Sequence, residues 1–93
     1  MSVQVRIPTV LRPRVGGEQV VTAQGATVGE VLGNIDSAHP GFGAMVMEAN
    51  GSLKRFVNLF LDDEDVRYLQ GLETPVPDGA TLVILPAVAG GSP

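Results

Sequence analysis

Ninety-three residues, 44% hydrophobic and 17% charged, make one small domain able to build a core, which excludes a disordered polymer. The absence of cysteine excludes a disulfide framework and thiolate metal ligation. The net charge of −4 is uneven, +1 over residues 1–55 and −5 over residues 56–93, and that acidic second half argues against nucleic-acid binding, which needs a basic footprint.

The alternation of Val3, Val5 and Ile7 with Gln4 and Arg6 predicts a half-buried strand, closed or marked as an edge by Pro8. Arg12-Pro13-Arg14-Val15-Gly16-Gly17 reads as a loop or turn. Glu18–Ala23 reads as a second strand, which makes an N-terminal hairpin. Thr27-Val28-Gly29-Glu30 is a capping box: the Thr27 hydroxyl accepts from the Glu30 amide, and the Glu30 carboxylate reaches back to the Thr27 amide. Val28, Val31, Leu32 and Ile35 follow at helical spacing, and the helix should stop before His39-Pro40-Gly41. Phe42–Met47 reads as a short helical turn with Phe42, Met45 and Val46 inward.

Asn50-Gly51 is a turn signal. Arg55–Leu61, broken only by Asn58, reads as a strand buried on both faces. Asp62-Asp63-Glu64-Asp65 turns the chain, and Val66–Tyr68 reads as a short strand. Pro77-Asp78-Gly79 is a turn, Thr81–Leu85 the last strand, and Pro86 closes it. This order makes an α+β domain over residues 1–86, a mixed sheet of four to five strands with one main helix packed across it. It matches the ubiquitin-like β-grasp. Residues 87–93 form a tail.

Most of Val57, Leu59, Leu61, Leu82 and Ile84 belong in the core. A sheet covered by one helix leaves its second face open. Alternate residues such as Phe56, Phe60, Val83 and Leu85 are then candidates for an apolar docking patch, with Phe60 its candidate hot spot. The pattern leaves open which parity faces inward.

Asp62-Asp63-Glu64-Asp65 lacks the spacing of a calcium loop, so no metal site is expected. A solvated turn is the plain reading and docking to a basic partner the alternative. His39 has no nucleophile or orienting partner in view and reads as a loop residue. Nothing in the sequence cradles phosphate, so any ATP chemistry belongs to a partner. No run nears the roughly 18–20 apolar residues of a bilayer span. The start of the chain does not resemble a signal peptide, and a monomer in the cytoplasm with no membrane partner is expected.

The tail carries Gly90-Gly91 followed by Ser92-Pro93. Glycine lets channel walls close tightly on the backbone; the plain alternative is a frayed end. Arg6-Ile7-Pro8-Thr9-Val10-Leu11-Arg12-Pro13, the block from Arg55 to Arg67, Asp78-Gly79 and the run Ile84–Gly91 together resemble the ubiquitin-like sulfur-carrier family. That family includes the small molybdopterin-synthase subunit and the thiamin sulfur carrier, and the likeness is nearest to carriers of a cysteine-synthesis route.

The resemblance implies a protein cosubstrate and not an enzyme. A ubiquitin-activating-type adenylating and sulfurtransferase partner uses ATP and a sulfur donor to convert a C-terminal glycine carboxylate into a thiocarboxylate. A sulfur-accepting synthase then consumes it. Gly91 would bear the reacting carboxylate, with Gly90 and Ala89 threading the channel. Because Ser92 and Pro93 follow, the resemblance implies cleavage between Gly91 and Ser92 by a JAMM-type metallopeptidase. The alternatives are a ubiquitin-like modifier ligated to lysine amines and a passive interaction module.

Overall fold

Alternation along Ser2-Val3-Gln4-Val5-Arg6 sends successive side chains to opposite sides, and β1 (Ser2–Arg6) buries Val3 and Val5 while exposing the other three. The structure, a computed structural model, describes residues 2–55 and 57–86. β2 (Val20–Gln24) pairs antiparallel with β1, setting Val21 opposite Val5 and Ala23 opposite Val3. It begins two residues later than the sequence suggests. Gly16 and Gly17, at φ 70° and 85°, are still turning the chain, and the Glu18 amide donates to Val15 O.

The stretch read as a loop is helical. Thr9–Val15 is a 3-10 helix that buries Leu11 and Val15. Pro13 hides its periodicity, and Gly16 ends it in the left-handed region open to glycine.

α1 (Val28–Ala38) buries Val28, Val31, Leu32 and Ile35 as its spacing predicts. The Thr27 hydroxyl accepts from the Glu30 amide at 3.2 Å. The reciprocal bond differs from the expected one: the Glu30 carboxylate accepts from the Ala26 amide at 3.0 Å. Thr27 itself sits in an antiparallel bridge to Pro75. α2 (Phe42–Val46) buries Phe42 and Val46, but Met45 points outward. Its single turn is fastened by Asp36, whose Oδ1 accepts from the Gly43 amide at 2.8 Å.

β3 (Val57–Leu61) buries Val57, Leu59 and Leu61, while Asn58 and Phe60 are half-buried. It is therefore one-sided and not buried on both faces. Its apolar run misleads because Phe60 belongs to the open face. Asp62 and Asp63, at φ 48° and 75°, make a tight two-residue turn into β4 (Glu64–Asp65). The short strand thus precedes the segment expected. Val66–Tyr68 is a 3-10 turn, capped by Asp65, whose Oδ1 accepts from the Arg67 amide at 2.9 Å.

β5 (Thr81–Pro86) runs antiparallel to β3 and parallel to β1. The sheet order is β2-β1-β5-β3-β4, a mixed five-stranded β-grasp with the last strand at its centre. One core joins α1 and α2 to the buried face of the sheet through Val3, Val5, Leu32, Ile35, Phe42, Leu59, Leu82 and Ile84. Among the described residues no helix is long and apolar enough to cross a membrane.

Candidate functional site

The central position of β5 decides where the described chain leaves the sheet. Val57 pairs with Pro86, and Arg6 pairs with Val83, so Pro86 emerges between the end of β1 and the start of β3. Gly91, Gly90, Ala89 and Ser92 lie outside the described residues, as does Phe56.

The exit has two flanks. On the side of the helices, Val10, Leu11, Met45, Lys54, Val57, Ile84 and Pro86 line a groove of about 200 Å³. Val10 is 65% exposed there, the largest aliphatic exposure near the exit among the described residues. On the open side, a concavity of about 250 Å³ brings Arg6 and Arg12 beside Val83 and Leu85. Arg12 is tied down, its Nε donating to Ile7 O at 3.1 Å.

Arg67 reaches the same end of the molecule. Its Nη1 donates to Asn58 Oδ1 at 2.6 Å, and its Nη2 donates to Val57 O at 2.6 Å and Lys54 O at 2.8 Å. β4 covers only Phe60 and Leu61 of β3, so the guanidinium satisfies the carbonyl of Val57 where no strand does.

The open face carries a row that crosses all five strands: Val20, Arg6, Val83, Phe60 and Asp65. Leu85, 45% exposed, lies in the next row opposite Asn58. Three candidate patch residues, Phe60, Val83 and Leu85, therefore share this face, and the parity left open by the sequence is resolved in their favour. Leu59, Leu61, Leu82 and Ile84 turn inward.

The acidic candidates lie elsewhere. Asp62 faces Thr81 at the start of β5, exchanging two bonds of 3.0 Å with its backbone. Five residue steps carry the strand from Thr81 to Pro86, about 16 Å at the usual strand rise. Asp62, Asp63 and Glu64 thus stand at the pole away from the exit, and Asp65 is spent on a cap. Among the described residues no His, Cys, Asp and Glu side chains are grouped to hold a metal ion.

Sequence reasoning missed Arg6, Arg12, Lys54 and Arg67 as a set. They come from three separate segments, and a count by chain halves hides their meeting at one end.

A family model described as the ThiS family matches residues 5–91. The sulfur carrier protein CysO of Mycobacterium tuberculosis is 46% identical over 93 residues, spanning 98% of this chain and all of that protein. Small archaeal modifier protein 3 of Haloferax volcanii is 30% identical, again over 98% of this chain and all of its own. Among solved structures, CysO in the BexX/CysO complex of Amycolatopsis orientalis superposes with a TM-score of 0.90 at 52% identity, covering 96% of this chain and 99% of that one.

Proposed function

The chain belongs to the ThiS family of sulfur-carrier proteins, and from that premise we propose that Gly91 is the residue whose carboxyl group carries the sulfur. The observation that supports this reading is the family match over residues 5–91, which runs through the glycine pair and stops at Gly91.

The chemistry follows from the functional group. An α-carboxyl group has an ordinary pKa of about 3.3–3.7, so a free Gly91 terminus is an anion at neutral pH, able to attack a phosphorus centre. Attack on the α-phosphorus of ATP expels pyrophosphate and leaves an acyl adenylate. Sulfide or a persulfide sulfur then attacks the carbonyl carbon and expels AMP. With a persulfide, a reductant or second thiol releases the product. The result is a thiocarboxylate. The body contributes presentation: five residues from Ala87 to Gly91 reach at most about 17 Å, enough to enter a partner's channel while β5 stays in the sheet.

Ser92 and Pro93 must leave first, because the anion has to belong to Gly91. Hydrolysis of the Gly91–Ser92 bond by a JAMM-type metallopeptidase is the step assigned here. An adenylating partner supplies ATP and sulfur chemistry, and a synthase accepts the sulfur, for cysteine or another sulfur metabolite such as a thiosugar. The carrier is a cosubstrate of these enzymes. Phe60, Val83 and Leu85 on the open face form its docking patch. The similarity to a CysO solved in complex with BexX supports a partner-held working form.

A chain ending at Gly91, given ATP, a sulfur donor and the activating partner, should exchange pyrophosphate and gain the mass difference between sulfur and oxygen. The chain ending at Pro93 should do neither until cleaved. Exchange by the Pro93 form, or none by the Gly91 form, overturns the assignment. A second reading, ligation of Gly91 to lysine amines, draws support from the archaeal modifier relative. High-molecular-weight conjugates without a thiocarboxylate would favour it.

A further inference from the structure

All six basic residues of the chain sit in three segments that the fold gathers around one end of the sheet. Arg6 closes β1, and Arg12 and Arg14 lie in the 3-10 helix that follows. Lys54 and Arg55 precede β3. Arg67 is drawn to that same end by its bonds to Lys54 O, Val57 O and Asn58. Pro86 leaves the sheet in their midst. Arg6 and Arg12 line the concavity on the open side of the exit, and Lys54 lines the apolar groove on the helix side. The opposite pole carries Asp62, Asp63 and Glu64 at the β3–β4 turn, with Asp78 in the turn before β5, where it accepts from the Ser2 amide at 2.8 Å. Although the net charge is −4, all the basic side chains therefore collect toward the end from which the tail departs, where they outnumber Glu18 and the Asp36 and Glu48 that share a groove with Lys54.

Resting on the carrier reading, we propose that this basic collar docks against an acidic rim around the channel mouth of the activating partner and orients the carrier tail-first during encounter. The collar does not serve ATP. Gly91 is up to about 17 Å beyond the exit, so with the tail extended the nucleotide phosphates lie out of reach of Arg6 or Lys54. What faces the collar when the tail is inserted is protein surface at the mouth. A rim of carboxylates there attracts the exit pole and repels the Asp62–Glu64 pole, so both ends of the dipole favour one orientation. Two anchored guanidiniums, Arg12 on Ile7 O and Arg67 on three acceptors, hold charge in place with little freedom left to lose on docking. The groove beside Lys54, lined by Val10 and Met45, adds an apolar contact within the charged ring.

The test uses the chain ending at Gly91 and pyrophosphate exchange with the activating partner across a range of ionic strength. Arg6→Gln with Lys54→Gln removes two collar charges without touching an anchored guanidinium. Its kcat/KM should fall about tenfold at low ionic strength with kcat unchanged, and the wild-type advantage should shrink as salt shortens the Debye length to about 8 Å at 0.15 M. Asp63→Asn with Glu64→Gln, at the far pole, should change kcat/KM less than about twofold at about 0.1 M salt, where the Debye length of about 10 Å is shorter than its distance from the mouth. Thermal unfolding of both variants checks that the body is intact. A collar variant as fast as wild type overturns the proposal. So does slowing confined to the Asp63/Glu64 variant, which would place docking on the acidic turn. Equal and opposite changes would assign the effect to net charge alone, and binding of the collar to DNA or RNA fragments in place of the enzyme would reassign it to nucleic acid. If the wild-type Gly91 form itself fails to exchange pyrophosphate, the carrier assignment falls instead.

Discussion

The two faces of the sheet are cut from the same strands and obey different rules. Toward the helices, Val3, Val5, Leu59, Leu82 and Ile84 are each no more than 1% exposed. Away from them, Arg6, Val83, Phe60 and Leu85 alternate charge with partly covered apolar surface, and no element packs over them among the described residues. The buried face carries the stability of a small domain, where each lost methylene is felt. The open face keeps apolar side chains where they contribute little to folding and much to a partner.

The sharpest way to break this contrast is at adjacent positions of β3. Leu59→Ala should destabilise the fold by about 2–5 kcal/mol in urea titration, through lost burial and a cavity under α1. Phe60→Ala, one residue on, should cost less than about 1 kcal/mol of stability while lowering kcat/KM for activation about tenfold, as an interface anchor would. Equal stability losses at the two positions would erase the distinction between the faces. Thr27→Ala should cost about 1 kcal/mol by thermal unfolding, since the cap fixes the helix that covers the inner face, and should leave activation untouched. Arg67→Ala should cost about 1 kcal/mol, because its bonds to Asn58 and Lys54 O are exposed and only the part-buried Val57 O is left short of a partner. Hydrogen exchange of the β3 edge amides should quicken in that variant, and a protected edge would show that the guanidinium staple is dispensable.

Regular periodicity made much of this legible in advance. The β1 alternation and the α1 stripe each have one solution, since a period of two or 3.6 aims every apolar residue the same way. Errors collected where periodicity is short or interrupted. Pro13 masked the 3-10 helix Thr9–Val15, and five residues of α2 were too few to place Met45. The apolar run ending β3 concealed which of Leu59 and Phe60 faces the core. Of the candidate site, the glycine pair was plain from the chain itself, and the basic collar was not.

Local chemistry was enough to specify β1, β2, β3 and β5, the capped helix, the turns begun at Asp62 and Pro77 and the glycine-bearing end, because each depends on neighbours within a few residues. Placing β5 in the middle of the sheet, choosing its inward parity and drawing Arg6, Lys54 and Arg67 to the end of the sheet where β5 finishes required the tertiary structure. Those outcomes depend on pairings between residues up to about eighty positions apart, such as Val5 with Leu82, and no local pattern encodes which distant strand will arrive.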